Sequence, residues 1–166
     1  PYQPIERQQQ LTRNSLKVLL DYRHPVTIVT KGSLILRDLD LLSQLAEQRL
    51  VAVMISLTTL DDELKRIMEP RAAAPAARLR AIRVLRDKRI PVGVLCAPMI
   101  PMINDSELEH LLAEAKNAGA QSAAYMFLRL PREVAPLFEE WLQAHYPQRA
   151  EHVLSLIRQS RGGELY

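Results

Sequence analysis

The chain has 166 residues, a formal net charge of +3, 48% apolar and 25% charged residues, and one cysteine, Cys96. That is about one domain's worth of chain, with ample material for a core. Disorder as the main state, a disulfide framework and a cysteine-built zinc or iron–sulfur site within these residues are excluded. So is a membrane span, since no apolar run approaches the roughly 20 residues it needs. The charge alone is too small to argue for nucleic acid. The chain opens without a signal-peptide pattern, and the expected location is the cytoplasm.

In chain order, Leu11, Leu16, Leu19 and Leu20 share one helical face, and His24-Pro25 closes that helix. Val26–Thr30, Val51–Ser56, Val92–Ala97 and Ala123–Leu128 are short and mostly apolar, and as a set partly β-branched. With little alternation of period two, these read as strands of a parallel sheet, buried on both faces. Asp38 is placed to cap a helix with Leu41, Leu42 and Leu45 inward. Asp61, Asp62 and Glu63 put negative charge in a first helical turn, which Pro70 ends. Pro75 opens a helix with Leu79, Ile82 and Leu85 inward. Ser106-Glu107-Leu108-Glu109 reads as a capping box before Leu111, Leu112 and Ala115, with Gly119 just past that helix's end. Two last helices carry Val134, Leu137, Phe138 and Trp141, then Val153, Leu154 and Ile157.

This alternation means βαβ units. Four strands fall short of a (β/α)8 barrel, which needs about 250 residues. The chain starts Pro1-Tyr2-Gln3-Pro4, without methionine, on a helix behind a Pro-rich loop, and stops at Arg161–Tyr166 where a turn opens. It is therefore expected to be part of something longer, with earlier strands missing.

Ligands of parallel α/β sheets bind at the carboxyl ends of the strands. Lys31 follows the first strand: it is either a grip for a carboxylate or phosphate, or a solvated lysine. Ser56 and Thr58 follow the second, where hydroxyls can bond a sugar or merely a turn. Asn104 and Asp105 face either a ligand or the next helix's cap. Arg129 binds an anion or a surface carboxylate. Arg71 to Arg89 holds seven basic residues and one acid, Asp87. It reads as a solvated helix face or a phosphate-binding one, and no interleaved aromatic supports base stacking. Cys96 lies inside a strand, as a structural thiol does. His24, His110, His145 and His152 have no metal-ligand spacing, and no Gly-rich phosphate loop is present.

Taken together the strand-end segments are recognisable. Pro1–Glu6, Thr30-Lys31-Gly32-Ser33-Leu34-Ile35-Leu36-Arg37-Asp38, Ser56-Leu57-Thr58-Thr59-Leu60-Asp61, Met68-Glu69-Pro70-Arg71-Ala72, Ala97–Asp105, Leu128-Arg129-Leu130-Pro131 and Arg161-Gly162-Gly163 run almost end to end. The series resembles radical S-adenosylmethionine proteins. The closer likeness is to the bacterial group related to spore photoproduct lyase, often labelled DNA repair photolyase. The resemblance implies an α/β fold, a partial (β/α)6 barrel of which strands three to six are present as a four-stranded parallel sheet with flanking helices. Residues 1–166 are then a single C-terminal portion of that barrel. A four-iron four-sulfur cluster, held by a CxxxCxxC loop after the barrel's first strand, lies before Pro1, and no metal ligand lies in this chain. The implied reaction is reductive cleavage of S-adenosylmethionine to a 5′-deoxyadenosyl radical, with the substrate unknown.

Residue by residue, the resemblance places Lys31 by the S-adenosylmethionine carboxylate and Ser56 by the ribose, with Thr58 beyond it. Gln3 and Glu6 fall in the loop that binds the amino group, and Ala97–Asn104 lies by the adenine. Gly32 stands where close approach to the ligand is useful. Cys96 matches neither the cluster motif nor the hydrogen-donating cysteine of spore photoproduct lyase, which weakens a repair assignment. Expected partners are the small-molecule cofactor and, through the exposed edge of an incomplete barrel, a second copy; none is a membrane. The alternative is a non-catalytic α/β module that binds an anionic ligand or nucleic acid through the Arg71–Arg89 helix.

Overall fold

The computed structural model describes residues 1–163. The last three residues of the expected terminal turn and single portion, Glu164–Tyr166, lie outside the described residues. Four parallel strands, β1 (Val26–Thr30), β2 (Val51–Ser56), β3 (Val92–Met99) and β4 (Ala123–Phe127), form one sheet in the order β1-β2-β3-β4. Before β1 come a single turn of helix, α1 (Glu6–Gln9), and α2 (Leu11–Asp21). A 3₁₀ segment (Ser33–Asp38) and α3 (Leu39–Glu47) lead to β2; α4 (Asp62–Met68) and α5 (Pro75–Asp87) lead to β3. α6 (Leu108–Ala118) leads to β4, and α7 (Ala135–His145) and α8 (Ala150–Gln159) follow. The four strands and the paired helices after β2 and β4 fall where the sequence puts them. The fold is α/β, consistent with part of a (β/α) barrel. Among the described residues, no helix is long and apolar enough to cross a membrane.

Register explains the burial. Ile28 pairs with Val53 and Val53 with Val92; Thr30 pairs with Ile55, Ile55 with Val94 and Val94 with Ala123. Side chains alternate along a strand, so these residues share one sheet face. Ile28, Val53, Val92, Ile55 and Val94 are buried against Leu42 and Leu45 of α3, Ile82 and Leu85 of α5 and Leu111 of α6. Each such side chain contributes roughly 1.5–3 kcal/mol. The other face carries Val29, Ala52, Ala124 and Met126, which are exposed.

Burial on both faces is therefore corrected: helices cover one face only. β4 lacks even that cover, and Tyr125 is 68% exposed. The reason is where the last two helices go. α7 and α8 build a second core with Ile100, Leu128 and Leu130 beyond the strand ends, so they do not lie along β4.

Two caps also differ from the reading of the sequence. Asp61 caps α4 as its neighbours suggest, accepting from the Glu63 and Leu64 amides at 2.7 and 3.4 Å. The Ser106–Glu109 capping box does not form. A 3₁₀ turn occupies Asp105–Glu107, and Glu107 instead reaches Thr59 Oγ1 at 2.7 Å and the Leu60 amide at 2.9 Å. Asp38 precedes α3 but caps nothing, because two arginines claim its carboxylate. Pro75 opens α5, and Gly119 ends α6 at φ 107°, in the region glycine favours.

Candidate cofactor site

A cavity of about 620 Å³ opens at the carboxyl ends of β1 and β2. Its walls are Pro1–Ile5, Val29–Gly32, Ser56 and Arg71–Ala73. The size falls in the range of small-molecule sites, about 300–1,000 Å³.

The N-terminal wall is held by short-range packing and charge. Thr30 Oγ1 donates to the Pro1 carbonyl at 3.2 Å and accepts from the Gly32 amide at 3.0 Å. A Cβ at Gly32 would stand 2.7 Å from the Tyr2 carbonyl oxygen, while the backbone there, at φ −98°, suits any residue. Gly32 is thus needed so that the Tyr2 backbone can approach, and Gly32 itself also lines the cavity. Gly32→Ala is expected to push this wall outward and to cost about 1–3 kcal/mol. Thermal unfolding checks this: an unchanged midpoint would show that the wall yields freely.

Below the wall lies a charge network. Arg37 donates to the Glu6 carbonyl at 2.7 Å and pairs with Asp38 at 2.8 Å; Arg13 pairs with Asp38 at 2.9 Å and with Asp40 at 2.6 Å. Glu6 accepts from the Thr12 amide at 2.9 Å and faces Arg37 at 3.3 Å. Burial opposes the ionised forms of Glu6 and Asp38, but the Arg37 bonds, with Thr12 for Glu6 and Arg13 for Asp38, hold both below the usual carboxylate range. Burial and the charge of Asp38 push the Tyr2 phenol up.

Of the residues singled out from sequence, Lys31, Ser56 and Gln3 line the cavity together. Glu6 does not line it; its carboxylate is taken up by α2 and Arg37. Thr58 and Asn104 are also outside its walls. Asn104 is fully buried and locks the connection after β3, accepting from the Ile100 amide at 2.7 Å and donating to the Thr58 and Pro98 carbonyls at 2.7 and 3.1 Å. The Thr58 hydroxyl is buried without a hydrogen-bond partner among the described residues.

Glu69 and Arg71, to which the sequence gives no role, lie at the cavity: Arg71 is in its wall and Glu69 stands beside it. The Lys31 ammonium lies 2.6 Å from the Glu69 carboxylate. Glu69 also pairs with Arg78, which is 1% exposed and donates to the Ser56 carbonyl at 3.0 Å and the Ala73 carbonyl at 2.8 Å. Although burial opposes it, Lys31 and Arg78 hold the Glu69 carboxyl below its ordinary value. Arg78 therefore leaves the basic face read from Arg71 to Arg89. Arg86 leaves it in part too, packing its methylenes over Gly119 and pairing with Asp87 at 2.7 Å.

Cys96 is buried on the helix-packed face, and burial pushes its thiol up to about 11. Such a thiol is unreactive at neutral pH. Among the described residues, no group of three or more His, Cys, Asp or Glu could hold a metal. They do not fit an iron–sulfur cluster.

The sheet, the helices on its one face and a cavity at the strand ends, walled by both polar and apolar residues, define an α/β protein with a candidate binding site. Residues 5–115 match the model of the radical SAM superfamily, so the chain belongs to that superfamily. It is 33% identical over 160 residues to an uncharacterized protein of Mycobacterium tuberculosis, covering 95% of this chain and 47% of that protein. To an uncharacterized protein of Methanocaldococcus jannaschii it is 30% identical over 150 residues, covering 90% of this chain and 54% of that protein. A shorter match, 40% identical over 74 residues, joins it to an uncharacterized protein of Acidianus two-tailed virus, with 45% of this chain and 24% of that protein covered. The chain thus spans about half the length of the first two relatives. No solved structure matches it.

Proposed function

We propose that the cavity at the ends of β1 and β2 binds S-adenosylmethionine, and that the whole protein is a radical S-adenosylmethionine enzyme of the spore photoproduct lyase-like group. The observation that carries this is the convergence of Lys31, Ser56 and Gln3, from two strand ends and the N-terminal segment, on one cavity of suitable size. The donor set suits the ligand. An ammonium meets a carboxylate as a point charge. A hydroxyl can donate to or accept from a ribose, and a carboxamide can accept from an α-amino group.

In this reading Lys31 holds the carboxylate, Ser56 the ribose and Gln3 the amino end. Asn104 acts indirectly, by fixing the backbone of Pro98 and Ile100 at the neighbouring rim. The chemistry supplied by the bound cofactor is the family's reductive cleavage to methionine and a 5′-deoxyadenosyl radical. Cluster ligands are expected in the half of the relatives' length that this chain does not span. In this reading the Cys96 thiol, buried on the helix-packed face of the sheet, is not assigned the role of hydrogen donor.

Calorimetric titration of this chain with S-adenosylmethionine tests the reading. Saturable binding is expected, weakened about tenfold or more by Lys31→Met, which removes a charged hydrogen-bond partner, and several-fold by Ser56→Ala. No binding, or binding that neither change affects, overturns it. For the protein at its relatives' length, anaerobic reconstitution and reduction should yield 5′-deoxyadenosine.

A further inference from the structure

Resting on that reading of the cavity, we infer that Glu69 and Arg78 are positioning residues for the cofactor: one buried guanidinium fixes both the lysine that meets the carboxylate and the strand end that meets the ribose.

A lysine on its flexible four-carbon stem is a poor fixed point for recognition unless something holds it. Lys31 is 40% exposed on its side chain and has solvent on one side. On the other side, Glu69 stands 2.6 Å from its ammonium. Glu69 is itself 8% exposed and would be costly to bury as an ion without compensation. Arg78 supplies that compensation from α5.

The remaining guanidinium donors show a second function. Nη1 donates to the Ser56 carbonyl at 3.0 Å, at the last residue of β2. Nε donates to the Ala73 carbonyl at 2.8 Å, in the loop that forms the cavity's far wall. One planar, always-charged fork therefore ties β2, the wall loop and Glu69 into one rigid unit. The trio of two cations and one carboxylate leaves one positive charge by the cavity, which suits a ligand end carrying a single carboxylate. Neither Glu69 nor Arg78 lines the cavity, so both act through Lys31 and Ser56.

Two probes separate this from a purely structural role: S-adenosylmethionine, and 5′-methylthioadenosine, which has the nucleoside without the amino-acid end. Glu69→Asp keeps the charge but draws it one methylene away from Lys31. It is expected to weaken S-adenosylmethionine binding about tenfold and to leave 5′-methylthioadenosine within about twofold. Glu69→Gln keeps the shape but removes the charge that holds the Lys31 ammonium, so the preference for S-adenosylmethionine over 5′-methylthioadenosine should fall several-fold. Should Glu69→Asp fail to fold, the Gln variant decides alone: an unchanged preference there overturns the inference. Equal weakening of both probes by Glu69→Asp, in step with a lowered thermal midpoint, also overturns it. Failure of the wild-type chain to bind either probe instead removes the cofactor reading on which the inference rests.

Discussion

Arg78→Met is expected to destabilise the protein by about 3–5 kcal/mol, the range for breaking a buried ion pair from one side. The methionine fills most of the arginine's volume, so the loss is mainly electrostatic. Glu69 keeps only Lys31, and the Ser56 and Ala73 carbonyls lose their donors. In a domain of this size that corresponds to a fall of roughly 10 °C in thermal midpoint. A midpoint within about 2 °C of wild type would show that the pair is dispensable to the fold. Arg78→Lys tests the fork itself. An ammonium can restore the charge opposite Glu69 but cannot make all three hydrogen bonds, so most of the loss should remain.

Arg78 also shows how far sequence could go. With Pro75, Ile82 and Leu85 it lies on the same helical stripe, three residues after the first and four and seven before the others. That spacing puts it on the inward face of α5, where a charge must have a partner. Counting basic residues along Arg71–Arg89 obscures this, because net charge carries no information about direction. The partner, Glu69, is nine residues away in sequence across a Pro-containing turn, and no local pattern links the two.

The strands were legible because a buried parallel strand needs an uninterrupted apolar, β-branched run. The open face was not, since Val29, Ala52 and Met126 satisfy the same pattern whether or not another layer covers them. The Ser106–Glu109 box was misleading for a related reason. Glu107 has a competing partner in Thr59 and the Leu60 amide, 48 and 47 residues away in sequence, and local capping signals cannot see it. At the cavity, Lys31, Ser56 and Gln3 were reachable from strand ends plus resemblance. Glu6 was not separable from them in sequence, because what removes it is the distant Arg37.

The second large effect concerns Asp38 and acid. Its side chain is fully buried between Arg13 and Arg37, and it joins the N-terminal wall of the cavity to α2 and α3. Asp38→Asn keeps the shape, removes the charge and turns an amide donor towards guanidinium donors. A loss of about 3 kcal/mol is expected at pH 7. The pH dependence follows from the sign of the shift. Asp38 titrates lower in the folded chain than its ordinary 3.8, since the arginine bonds outweigh burial. Glu69 likewise lies below its ordinary 4.5, and Asp40 is held at about 2 by its Arg13 bond. Groups with lowered folded-state values add stability that is complete above the unfolded pKa and disappears as pH falls through the folded one. Wild-type stability should therefore be flat with respect to these groups from pH 8 to about 6 and fall below about pH 5. Asp38→Asn has already lost one of the protonating carboxylates, so its acid slope is shallower and its gap from wild type narrows on acidification. Urea unfolding at pH 7 and at about pH 3, below the ordinary carboxylate value, measures that gap directly. A gap that stays constant between the two pH values would mean that the Asp38 charge contributes nothing, and that the side chain holds the wall by shape alone.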